Sequence, residues 1–146
     1  MATKDSIASR LNQYDGITPL GDDPEALPPG FLPQDLWRTF ARHGAKPRST
    51  ISAEASHAEL EGWFCSAVSP LAESGECYIS VAGWGNLPWF RIGLDSGPRP
   101  LFALWKGLTN HELLVLSRDK TIVVGIIEEE YEYELHRRDI PSVGQS

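Results

Sequence analysis

The run Glu128-Glu129-Glu130-Tyr131-Glu132-Tyr133-Glu134-Leu135 carries the densest ionisable chemistry in the chain. On a strand, whose side chains alternate with period two, Glu128, Glu130, Glu132 and Glu134 share one face, and Tyr131, Tyr133 and Leu135 share the other. At a rise of roughly 3.3 Å per residue the carboxylates recur about every 6.6 Å along one line. A helical period scatters the same glutamates over nearly every side, so the spacing favours the strand. Such a row is a counter-surface for Lys and Arg, and its chemistry is recognition rather than catalysis. A half-buried antiparallel strand with a solvated face, or an edge strand guarded by charge, gives the same pattern. His136, Arg137 and Arg138 follow directly and neutralise part of the row.

The remaining reactive residue types lack catalytic spacing. His43, His57, His111 and His136 form neither a His-x-x-x-His nor a His-Glu-x-x-His pattern, so no zinc site is expected. His57 with Glu59 and Glu61 reads as solvated residues beside an apolar stripe. No Gly-x-Ser-x-Gly elbow is present. Cys65 and Cys77 are too far apart for a Cys-x-x-Cys motif and read as reduced packing residues. Gly83-Trp84-Gly85-Asn86 lacks the glycine spacing and lysine of a phosphate loop and reads as a turn. Trp84, Trp89, Phe90, Phe102 and Trp105 crowd together, mostly for core packing. Trp84, between glycines, is the one placed at the surface, where a rigid aromatic body suits an interface. The candidate partner-binding residues are therefore Glu128, Glu130, Glu132, Glu134 and Trp84. No catalytic residue, metal or cofactor is assigned, and the chain reads as a non-enzyme.

Charge narrows the choice of partner. Thirteen Lys and Arg against twenty Asp and Glu give a net charge of −7, which disfavours direct binding to nucleic acid and favours a basic protein partner. The acidity is spread along the chain, with 6 basic against 10 acidic residues up to residue 73 and 7 against 10 beyond it. The N-terminus turns polar at once and no apolar run approaches the ~20 residues of a membrane span, so no membrane association and a cytoplasmic location are expected. A chain of 146 residues is expected to form one domain. At that length folding removes about 68–70% of the unfolded surface from water, so stability requires neither disulfide nor metal.

Several elements must position these residues. Thr3 caps a helix over about 4–12, with Ile7 and Leu11 on one face, and Asp15-Gly16 supplies a turn. Residues 18–33 hold five prolines and read as an extended connection lying against the domain through Leu20, Leu27, Phe31 and Leu32. Pro33 opens a second helix through Leu36, Trp37 and Phe40 that Gly44 ends. Ser52 caps a third helix over about 53–68, with Pro70 opposing its continuation; Gly62 beside Trp63 and Phe64 also suits a strand. Beyond Gly75, strands are expected at 77–81, 89–94, 101–105, 113–116, 121–127 and 131–135, with residues 95–98 and 117–120 closing hairpins. Residues 1–72 are thus mainly helical and 76–136 mainly β, an α+β fold of N-terminal helices on a mainly antiparallel sheet.

The C-terminal segment from Leu113-Leu114-Val115-Leu116-Ser117 through Val124-Gly125-Ile126 to Glu129-Glu130-Tyr131-Glu132-Tyr133 resembles the end of some bacterial immunity proteins, small acidic cytosolic α+β proteins. The resemblance implies tight stoichiometric binding to a cognate toxin domain, with inhibition by occlusion of its active surface; it assigns no contact residues. Two other readings stay open. One is a small-ligand or enzymatic module with a pocket framed by Trp84, Trp89 and Trp105 and rimmed by His111 and Glu112. The other is a structural subunit of a larger assembly.

Overall fold

The computed structural model describes residues 3–22, 27–28, 30–41, 45–82, 89–95 and 97–141. Among them the fold is α+β, with four helices and one seven-stranded antiparallel sheet. The elements are α1 (Lys4–Leu11), β1 (Ile17–Asp22), α2 (Pro33–Phe40), β2 (Ser49–Ser52), α3 (His57–Ala72), β3 (Glu76–Val81), β4 (Phe90–Leu94), α4 (Arg99–Gly107), β5 (Leu113–Ser117), β6 (Ile122–Glu128) and β7 (Glu132–Asp139). The sheet order is β1-β4-β3-β5-β6-β7-β2.

The central strands are buried on both faces, so their apolar runs are nearly continuous. On β5 and β6, Leu113, Val115, Val124 and Ile126 face a core built with α1, α3 and α4, around Phe64, Phe102 and Trp105. Their neighbours Leu114, Leu116, Val123 and Ile127 face a second core with Leu36 and Phe40 of α2 and with Phe31.

The first half holds more β-structure than its composition suggests. Part of the proline-rich connection is β1, at one sheet edge, where Pro19 need not donate to an outer partner. The register slips between Pro19 and Gly21, and Gly21 takes φ +114°, a conformation open to glycine. Leu27 and Phe31 pack on the α2 side as expected, whereas Leu20 and Leu32 are exposed. At the other edge, β2 includes Ser52, which therefore does not cap α3. Ser56 does: its Oγ accepts from the Glu59 amide at 3.1 Å, and Glu59 accepts from the Ser56 amide at 3.3 Å. That reciprocal box needs an acceptor side chain three residues on. Ser52 has Ala55 there.

Two further expectations are corrected. Helix α3 continues through Pro70, which lies with Ser66 on the exposed side, where water can replace the missing bond to the Ser66 carbonyl, and continuation buries Leu71 and Ala72. Residues 101–105 are helical, not a strand. Pro98 and Pro100 open α4, and a short apolar run does not distinguish a buried helical turn from a buried strand. Residues 97–98 therefore lead into α4 instead of closing a hairpin, while residues 117–120 do join β5 to β6. Gly44 and the Gly83–Asn86 turn lie outside the described residues.

One glycine is fixed by close approach. A Cβ on Gly125 would stand 2.5 Å from Phe40 Cδ2 and 2.9 Å from Leu114 Cδ2, so the missing side chain lets α2 close onto β6. Gly125→Ala is expected to cost about 1–3 kcal/mol by overpacking. Urea unfolding should show the cost largely relieved when Phe40→Ala is added; strict additivity of the two would rule out this contact as the cause.

Candidate functional site

The glutamate run folds into a hairpin rather than one strand. β6 ends at Glu128, residues 129–131 turn, and β7 begins at Glu132. The turn closes through the Glu129 amide, which donates to the Glu132 carbonyl at 2.8 Å. It is tied to the end of β2 by the Ala53 amide, which donates to the Tyr131 carbonyl at 3.0 Å.

This geometry divides the expected four-carboxylate row. Residues directly opposite each other across an antiparallel pair share a face. Glu128 opposes Tyr133 and so lies on the α3–α4 side, whereas Glu134 opposes Ile127 and lies on the α2 side. Glu130 is in the turn, and Glu132 opens β7. The two tyrosines separate as well: Tyr131 is 77% exposed, while Tyr133 is buried. No Gly, Pro, Asn or Asp marks the bend, so period two reads straight through it.

What gathers at this end is a compact acidic surface. Glu129, Glu130 and Tyr131 are exposed, Glu132 is half-buried, and Glu54, just past β2, is exposed nearby in the chain path set by the Ala53–Tyr131 bond. Beneath them lies a structured base. His111 Nδ1 is 2.9 Å from Glu128 Oε2, and Glu112 Oε2 accepts from the Glu128 amide at 3.1 Å. The His111 ring meets Trp105 and Tyr133 edge-on at 5.8 and 5.7 Å, and Trp105 meets Tyr133 at 4.9 Å. Trp105 Nε1 donates to the His111 carbonyl at 2.9 Å. Glu128 is thus held by the scaffold, and Glu134 is occupied with His136 Nε2 at 3.0 Å. Glu129 and Tyr131 join the surface, and Glu112 its half-buried base, although residue spacing alone left them out.

The local field shows in two groups. Burial, then the charges of Glu128 and Glu129, raise the Glu112 carboxyl above its ordinary range against the opposing hydrogen bond from the Glu128 amide. Burial, then the Glu128 charge, raises the Tyr133 phenol. The folded state therefore holds the Glu112 proton more tightly than the unfolded chain, so this group gains stability as pH falls through its raised value. Glu112→Gln, which keeps an acceptor for the Glu128 amide, should be more stable than the parent at neutral pH. Urea unfolding should show that advantage vanish as pH falls towards about 4.3, the value of an unfolded glutamate. An advantage that grew with acidity would contradict the assignment.

The other sequence candidates fall elsewhere. Trp84 lies outside the described residues, as does His43. Trp89 and Trp105 are both buried on opposite faces of the sheet, and Trp89 Nε1 donates to the Phe31 carbonyl at 3.0 Å. They cannot frame one pocket, which corrects the tryptophan-lined alternative. His57 packs edge-on against Phe102 at 5.2 Å. No group of three His, Cys, Asp or Glu among the described residues is placed to hold a metal. Both cysteines are free thiols, and burial pushes Cys77 up to about 12, an inert packing group. Among the described residues no helix is long and apolar enough to cross a membrane.

Comparison of the chain with protein-family models, with curated proteins and with solved structures finds no match.

Proposed function

We infer that this protein is a non-enzymatic binding protein whose acidic sheet end engages a basic protein partner. The resemblance of its C-terminal segment to immunity proteins names the most specific form of that reading: an inhibitor in the bacterial cytoplasm that occludes the active surface of a cognate toxin domain. The observation that carries the reading is the grouping of Glu129, Glu130 and Glu132 around the exposed Tyr131 on a hairpin end, fastened to the core through Glu128, His111 and Trp105. Carboxylates steer a cationic partner at long range. An exposed tyrosine adds a rigid contact once docked. A toxin that acts on nucleic acid must itself present cations to phosphate, and an acidic surface complements it.

The test is capture on tagged protein from host lysate and secreted fraction, read by mass spectrometry, with Glu129→Lys/Glu130→Lys/Glu132→Lys bait in parallel. One stoichiometric basic protein that binds at low salt, weakens at moderate salt and is lost from the variant supports the reading. Equal recovery on both baits would remove this surface from it.

A further inference from the structure

The opposite end of β7 has the reverse charge. A cavity of about 260 Å³ opens between the C-terminal end of α2 and β7, lined by Thr39, Phe40, Lys46, Arg48, His136 and Arg137, with no carboxylate among its described lining residues. A second cavity of about 290 Å³ shares Thr39 and adds Arg38 and Arg138, with Asp35 as its one acid. Five of the thirteen Lys and Arg of a chain with net charge −7 thus line two adjoining hollows.

Their partners within the fold are few. Among the described residues, Lys46, Arg48 and Arg38 make no ion pair. Arg137 meets only Asp139 at 3.6 Å, and that carboxylate is 81% exposed. Arg138 lies over the Phe31 ring at 4.9 Å. The dipole of α2 does not account for the gathering, because a helix C-terminus carries about half a negative charge, and Arg38 in the last turn of α2 already answers it. Asp35, Asp139 and Glu134, the last bonded to His136 at 3.0 Å, offset only part of this charge, and a bound oxyanion relieves the remaining repulsion through charge-assisted hydrogen bonds.

We propose that the groove between α2 and the C-terminal half of β7 is a binding site for a phosphate-bearing small molecule, held by Lys46 and Arg48, with Arg137 at its rim. Thr39 Oγ1 already donates to the Asp35 carbonyl at 2.9 Å, so the cations supply the donors. Phe40 and His136, stacked on each other at 5.2 Å and both buried, give the groove a rigid floor. The cavity is smaller than the roughly 300–1,000 Å³ of a drug-sized pocket, so it fits a phosphoryl group with a small substituent. This site is independent of the acidic hairpin.

The experiment is an amide NMR titration of the whole chain with inorganic phosphate and with glycerol 3-phosphate, against sodium chloride at matched ionic strength. Saturable shifts at residues 46–49 and 136–138, weakened tenfold or more in Lys46→Gln/Arg48→Gln, support the site. Tighter binding of glycerol 3-phosphate assigns a phosphomonoester ligand, and equal binding assigns the phosphoryl group alone. Both replaced side chains are exposed, and the bond from the Arg48 amide to the Leu135 carbonyl is retained. Should the double variant lose spectral dispersion, Arg48→Gln alone is read in the same way. Shifts that chloride reproduces, or saturable shifts unchanged in the folded variant, would overturn the proposal.

Discussion

Trp105→Ala is expected to cost about 3–5 kcal/mol of folding stability, the usual range for truncating a fully buried tryptophan. Against the ~5–15 kcal/mol that holds an ordinary domain together, that is a large share. Trp105 is fully buried, stacks on Phe64 at 5.2 Å, and lies within 5.9 Å of Phe102 and 4.9 Å of Tyr133. No neighbour can relax far enough to fill the space, because α3, α4 and β7 all meet there. Its indole N–H also positions His111, whose imidazole holds Glu128. Trp105→Phe keeps most of the ring packing and leaves that carbonyl without its donor, at a further ~1 kcal/mol for the bond itself. Its signature should be altered His111 ring resonances with the sheet intact. Urea unfolding that put Trp105→Ala within 1 kcal/mol of the parent would contradict this picture of the core.

The alternations that face an ordinary core were legible in the residues. Strands β3 to β6 fall close to where apolar runs and polar breaks place them, whereas β7 runs four residues past its expected end to Asp139; Thr3 caps α1, and Pro33 opens α2. What the residues concealed has specific physical causes. Leu101 to Trp105 is too short and too uniformly apolar for its period to decide between helix and strand. Ser52 and Ser56 are equally good caps by type, and only Glu59 distinguishes them. β2 is four residues whose strand character comes from pairing with β7, a contact spanning much of the chain.

At the candidate surface, the same blind spot had a functional consequence. The glutamate run obeys period two on both sides of a bend that no turn residue announces, so an acidic segment was legible and its shape was not. Folding it into a hairpin takes Glu128 and Glu134 out of a common row and puts Glu129 and Tyr131 forward. The basic groove was less legible still, since Arg38, Lys46, Arg48 and Arg137 are separated along the chain and meet only when β2 docks on β7.

The second large effect concerns association. Reversing Glu129, Glu130 and Glu132 to Lys changes six units of charge within one turn, bringing the net charge of −7 to −1. Steered association runs up to about 10⁸–10⁹ M⁻¹s⁻¹ at low salt, against roughly 10⁵–10⁶ without steering. A fall of tenfold or more in association rate is therefore expected, with a smaller change in dissociation. The side chains of Glu129 and Glu130 are exposed, and Glu132 contributes to the sheet through its main-chain pairing with Ser52, so the melting temperature should change little. Tyr131→Ala should act in the opposite way, through faster dissociation, because its contact forms only after docking.

The most direct measurement is the association rate constant of the captured partner with parent and triple-lysine protein, at about 20 and 200 mM salt. The Debye length shrinks from about 20 to about 7 Å over that range. If the acidic hairpin is the docking surface, the parent rate falls steeply with salt, and the variant is slow at low salt with a weak or inverted salt dependence. Equal rates and equal salt slopes in the two proteins would mean that the partner docks elsewhere.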